Sequence, residues 1–122
     1  MTFTGARSCI VNIANSTSGN FTIQIPSLIS GNWISGEEPI HGDQLVSNTV
    51  MRWGLETQNA SEGVSGSVLL IGYGNPIDIS WALDVHNVRM HNTLHSNKVN
   101  ATYDWAWTGS PEHQTLEIVL HP

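Results

Sequence analysis

Residues 77–86 read IDISWALDVH, in which Ile77, Ile79, Trp81, Leu83 and Val85 alternate with Asp78, Ser80, Ala82, Asp84 and His86. A period of two sends one set of side chains to a buried face and the other to water, the pattern of a half-buried antiparallel strand. The same period recurs on both sides of this stretch. Phe21, Ile23 and Ile25 alternate with Asn20, Thr22 and Gln24, and Leu116, Ile118 and Leu120 alternate with Thr115, Glu117 and His121. Val99, Ala101, Tyr103, Trp105 and Trp107 alternate with Lys98, Asn100, Thr102, Asp104 and Ala106. Further strands are expected over 7–14, 44–56 and 64–71, the last with apolar residues on both faces and hence central in its sheet.

The gaps carry turn chemistry: NSTSGN at 15–20, SGEEPIHGD at 35–43, GYGNP at 72–76 and TGSPEH at 108–113. No stretch has the spacing of a long amphipathic helix, and only 90–97 leaves room for a short helix or a long loop. The expected fold is all-β, a single antiparallel β-sandwich of about eight strands with at most one short helix, and one domain over 1–122. A chain of 122 residues buries roughly two-thirds of its unfolded surface, enough for a core without metal or disulfide.

Composition narrows the function. Charged residues make up 11% of the chain, so its polar surface is built from Ser, Thr, Asn, Gln and Gly. Ten acids against four bases give a net charge of −6, which excludes a duplex nucleic-acid partner and disfavours anionic membrane leaflets. The single Cys9 rules out an intramolecular disulfide. The opening MTFTGARSCIVNIAN has no signal-peptide pattern, and no apolar run reaches membrane-spanning length. A cytoplasmic or non-classically released protein is expected.

Catalytic patterns are weak. Asp78 and Asp84 share a strand face but stand six residues apart, roughly 20 Å at strand rise, too far for an acid–base pair. No GxSxG elbow occurs, and Cys9 in an apolar alternating strand reads as a buried, inert thiol. Six histidines raise a metal site, with His91 and His95 at i, i+4, but HNTLHSN is a poor helix former. No enzyme activity, no metal and no cofactor are expected. Of the five tryptophans, Trp81 belongs to the core by its alternation. Trp33 in SGNWISG and Trp107 in DWAWTGSP sit at strand ends, where an indole suits sugar faces or lipid headgroups, and both are candidates for the binding surface.

Several motifs in order carry a resemblance: IANSTSG (13–19), EEPIHGDQL (37–45), ASEGVSGSVLL (60–70), WALDVHNVRMHN (81–92) and LEIVLHP (116–122). Together they resemble the actinoporin-like β-sandwich group, which includes sea-anemone actinoporins, fungal aegerolysins and fungal fruit-body lectins. ASEGVSGSVLL looks most like the acidic-Gly-x-x-Gly turn and strand of aegerolysins. DVHN with Ser65-Gly66 looks more like the fruit-body lectins, and EPIHGDQ like actinoporins. Two features depart from actinoporins. Only MTFTGA precedes the first strand where they carry an inserting helix, and NVRMHNTLHSN stands in place of their Tyr/Trp cluster.

The resemblance implies a non-enzymatic cell-surface recognition protein. The leading expectation is an aegerolysin-like binder of sphingolipid or zwitterionic phospholipid headgroups that does not form pores alone. Any pore activity would call for a homo-oligomer or a partner protein. The alternative is a lectin for cell-surface glycans. The contacts are expected at Ser65, Gly66, Asp84, His86 and Asn87, with Trp33 and Trp107 as further candidates. On this reading Gly66 allows close backbone approach and the others supply hydrogen-bonding groups.

Overall fold

The computed structural model of the chain describes residues 6–59, 61–72, 75–83, 90–96, 102–110 and 112–121. They form two five-stranded sheets packed as a sandwich. In chain order the strands are β1 (Arg7–Asn15), β2 (Phe21–Ser30), β3 (Asn32–Trp33), β4 (Gln44–Leu45), β5 (Thr49–Thr57), β6 (Val64–Gly72), β7 (Asn75–Leu83), β8 (Met90–Ser96), β9 (Thr102–Ser110) and β10 (His113–His121). Sheet A has the order β3-β5-β1-β10-β9, and sheet B the order β4-β2-β6-β7-β8. The described residues include no helix, and so none long and apolar enough to cross a membrane.

The alternation seen in the sequence fills the core. Cys9, Val11 and Ile13 of β1, Ile77, Ile79, Trp81 and Leu83 of β7, and Leu116, Ile118 and Leu120 of β10 are all buried. β6 is the central strand of sheet B and presents Val64, Gly66, Val68 and Leu70 inward.

The structure departs from the sequence-based expectation in five places. First, β1 and β10 pair in parallel, from Ser8↔His113 to Asn15↔Leu120, so the sandwich is not wholly antiparallel. No local pattern encodes this pairing, because the two strands are separated by most of the chain. Second, the stretch 44–56 is not one strand. β4 pairs with β2 in sheet B, the chain turns at Asn48 with a φ of 61°, and β5 joins sheet A. Third, residues 90–96 form a strand rather than a helix or loop, with β8 completing the ladder of β7 from Ile77↔Ser96 to Leu83↔Met90. Unpaired backbone groups on β7 favour that partner whatever the propensity of MHNTLHS. Fourth, Ile25 leaves the buried face of Phe21 and Ile23 and is 63% exposed, because the register of β2 shifts between Gln24 and Ser27. Fifth, Trp105 shares its face with buried Ile118 yet is 51% exposed, because β9 is an edge strand.

The corner between the sheets is held by Asn15, which is 1% exposed. Its Nδ2 donates to the Gly19 carbonyl at 2.8 Å and to the Leu45 carbonyl at 3.0 Å. Its Oδ1 accepts from the Thr17 amide at 3.0 Å and the Thr17 hydroxyl at 2.6 Å, while its own carbonyl accepts from Asn48 N–H. One amide thus ties the end of β1 to the β1–β2 turn and to β4 of the other sheet. Asn15→Ala leaves these buried groups without partners, and the expected loss is about 2–3 kcal/mol. Urea denaturation checks it as a lowered midpoint at unchanged slope.

Candidate functional site

Three of the candidate residues meet at one end of sheet B. Trp81 of β7 is 2% exposed and stacks on Trp53 of β5, with centroids 6.0 Å apart and planes at 13°. Trp33 of β3 tilts against the same ring, at 6.3 Å and 58°. Gly66 lies against this cluster. A Cβ placed there would stand 3.0 Å from Trp33 Cη2 and 3.2 Å from both Trp81 Cζ2 and the Ser27 carbonyl oxygen. A side chain at position 66 would therefore press on two indoles and a backbone oxygen, which would have to give by a few tenths of an ångström. Ser65 faces the other way, and its hydroxyl pairs with that of Ser30 at 3.1 Å, while Ser30 also donates to the Gly63 carbonyl at 3.0 Å.

Trp107 does not join this group. It lies on β9, at the opposite edge of sheet A from β3, about 19 Å away across four strand spacings. It is half-buried against the core, and its Nε1 is buried without a hydrogen-bond partner among the described residues. Asp84, His86 and Asn87 lie outside the described residues. They follow Leu83, the last described residue of β7, which pairs with Val64 next to Ser65.

The outer face of sheet B carries a feature that the sequence reading missed. A groove of about 350 Å³ runs across β2, β6 and β7, lined by Ile25, Ser27, Ile29, Ser67, Asp78 and Ser80 among others. Its size is at the low end for ligand pockets and suits a headgroup or one sugar ring. Three hydroxyls and one carboxylate lie beside the two exposed isoleucines of β2; among the described lining residues Asp78 is the charged one. Such a surface fits a neutral or zwitterionic group and repels an anionic one. Ser65 lies on the same face as Ser67, two residues or about 7 Å along β6. The groove thus adjoins the predicted site.

The wall at Ile25 is strained. Its φ of 46° lies in the left-handed region, where a β-branched residue is an outlier and costs about 1–3 kcal/mol. Its N–H donates to Nδ1 of His41 at 3.3 Å. Flanking bonds run from Gly42 N–H to the Ile23 carbonyl at 2.7 Å and from Ile23 N–H to the Asp43 carbonyl at 2.8 Å, so the 40–43 turn clips onto β2. The signal was present in the sequence as Pro26, since proline within a strand marks a bulge or an edge.

Several titratable groups elsewhere have structural partners. Burial pushes the Cys9 thiol up to about 12, which leaves it protonated and unreactive at neutral pH. His113 Nδ1 pairs with the Ser8 hydroxyl at 2.8 Å, and His121 Nε2 with Asp104 at 2.9 Å. In strand β8, His91 and His95 are about 13 Å apart along the backbone rather than one helical turn. Glu62, the acidic residue of the ASEGVSG turn, is held in a local network. It accepts from the Thr57 hydroxyl at 3.3 Å and from Asn59 Nδ2 at 3.4 Å, and its carbonyl accepts from Arg7 Nε at 3.1 Å.

The close approach at Gly66 generates a direct test. Gly66→Ala forces the two indoles apart and should cost about 1–3 kcal/mol. Ser67→Ala, one residue on and facing outward, should change stability by no more than about 0.5 kcal/mol. Thermal melts of both variants, with tryptophan emission as the probe, give the comparison.

No protein-family model and no curated protein matches the sequence. Among solved structures, the chain is similar to the lipid-binding protein Nakanori, with a TM-score of 0.81 over 96% of this chain and 72% of that one. The two sequences are 9% identical, so the likeness is one of fold.

Proposed function

We propose that the protein is a non-enzymatic recognition protein that binds the headgroup of a sphingolipid or zwitterionic phospholipid through the outer face of sheet B. The observation that carries this reading is the headgroup-sized groove. Its isoleucine walls, hydroxyl-bearing strands and single described carboxylate stand on a fold shared with a lipid-binding protein. Hydroxyls can donate to a phosphate or carbonyl oxygen, Asp78 can attract a cationic group, and the aliphatic walls suit methyl and methylene groups.

In this reading Ser65 extends the hydroxyl stripe toward the end of β7, where Asp84, His86 and Asn87 follow in sequence and complete the contacts. Gly66 and Trp33 act from beneath, as the packed floor that fixes the position of Ser65. Trp107, half-buried against the core on the far edge of sheet A, stands apart from this face and takes no part in the groove contacts. The function is recognition without autonomous permeabilisation.

Vesicle flotation tests the proposal. Binding is expected to sphingomyelin–sterol or phosphatidylcholine vesicles and not to phosphatidylserine, given the net charge of −6. Dye release by the pure protein is not expected. His86→Ala and Asn87→Ala should each weaken binding about tenfold at unchanged melting temperature, as loss of one hydrogen bond at a binding site does. Binding to a glycan array with no binding to any vesicle would replace the lipid reading with the lectin one.

A further inference from the structure

We infer that β9 is an assembly edge whose partner is β9 of a second copy of this chain, paired antiparallel across a two-fold axis at Trp105. A sheet edge presents backbone groups to any strand that can pair with them, and folds that stay monomeric blunt each edge with a very short strand, a lysine, a proline or a bulge. Two of the four edges here are blunted by length, since β3 and β4 have two residues each. The other two are β8, with the polar sequence MHNTLHS, and β9, with the aromatic sequence TYDWAWTGS. β9 has no lysine and no proline, and its one charged residue, Asp104, pairs with His121 of β10 at 2.9 Å. Among the described residues β9 pairs with β10 alone. Asp104, Ala106, Thr108, Gly109 and Ser110 are exposed, and Trp105 is 51% exposed. Ala106 and Gly109 have little or no side chain, so what they expose is mostly backbone.

The sequence of β9 is complementary to itself. Residues opposite each other in a continuous sheet point to the same face, so a symmetric antiparallel seam must be centred on a residue. Centred on Trp105, it sets that indole against its own copy, Tyr103 against Trp107 and Thr102 against Thr108. Aromatic cross-strand pairs are among the stabilising ones. Asp104 falls opposite Ala106, so no carboxylate meets a carboxylate across the seam. The pairing covers 102–108 and stops short of Gly109, whose φ of 112° departs from strand geometry. Trp105, on the same face as buried Ile118, is then covered by the second copy in place of water. A two-fold axis along the sheet normal preserves inner and outer faces, so the outer faces of sheet B in both copies look to the same side of the dimer. Where the groove is the headgroup site, a consequence that rests on the proposed function, two grooves then meet one membrane surface. Such bivalency raises avidity by about 100-fold or more over a single site.

Sedimentation equilibrium of the ligand-free protein is the first test, at ~10 µM to ~1 mM chain. Salt of about 0.15 M screens the repulsion between two copies of charge −6 beyond roughly 8 Å. The natural protein should be dimeric at the upper end of that range. Trp105→Lys places two ammonium groups face to face at the axis and should weaken the dimer about tenfold or more. The register is read by cross-linking under an oxidised glutathione buffer. In Trp105→Cys the two thiols stand on Cα atoms about 4.5–5.5 Å apart and should form an intermolecular disulfide. In Ala106→Cys the two Cα atoms are about 8 Å apart, beyond disulfide reach, and the variant should stay uncross-linked. Cys9 does not interfere, because burial holds its thiol protonated. A monomer over the whole concentration range would overturn the inference, as would a dimer unaffected by Trp105→Lys or equal cross-linking at 105 and 106. Flotation on phosphatidylcholine vesicles reads the consequence: Trp105→Lys should bind more weakly than the natural protein. Absence of vesicle binding by both counts against the lipid reading alone, since sedimentation and cross-linking need no lipid.

Discussion

The contact on which the rest of the molecule depends is the stack of Trp53 on Trp81, one indole from each sheet. Two rings lying nearly parallel with centroids 6.0 Å apart fix how closely the sheets approach at this point. Trp33 closes the cluster from the edge of sheet A, and its close approach is eased by the absence of a side chain at residue 66. That constraint propagates through strand periodicity. With Gly66 held inward against indoles, Ser65 and Ser67 must face outward, and their partners on β7 by register, Ala82 and Ser80, face outward with them. The hydroxyl-lined outer face of sheet B is the reverse side of the tryptophan core.

A flat, regular sheet would offer such a face but no groove. The depression comes from β2, where two register shifts, after Gln24 and after Leu28, interrupt its pairing with β6. Bulges of this kind bend a strand and re-aim its side chains. Ile25, Leu28 and Ile29 consequently stand 41–65% exposed, on a strand that begins with the fully buried Phe21 and Ile23. The strain at Ile25 sits beside the groove and away from the core contacts, where backbone outliers tend to serve binding rather than stability. Rigidity on one side of sheet B and local irregularity on the other are thus complementary.

Much of the core was legible in the sequence because alternation reports burial directly. The period of two puts Ile77, Ile79, Trp81 and Leu83 inward, and likewise Leu116, Ile118 and Leu120, and each is buried. What alternation cannot report is pairing over long separation. The parallel contact of β1 with β10, and the division of 44–56 between two sheets, depend on partners far away in the chain. Gly66 reads in the sequence as a glycine beside a serine, yet the side chains it packs against are two tryptophans distant in sequence. The period of two puts Ile25 inward, and Pro26 directly after it is the residue that interrupts the period. No single motif contains the groove residues Ser27, Ser67 and Ser80; they become a set only when three strands align.

The central claim is that this sandwich recognises a lipid headgroup on the outer face of sheet B. The most direct measurement is an amide-resolved NMR titration of the isotope-labelled protein with phosphatidylcholine or sphingomyelin nanodiscs. The account predicts that the largest perturbations fall on Ser27, Ser65, Ser67, Asp78 and Ser80 and on residues 84–87, while the buried strands β1 and β10 of sheet A change little. Perturbations centred on sheet A, or none at saturating lipid, would contradict it.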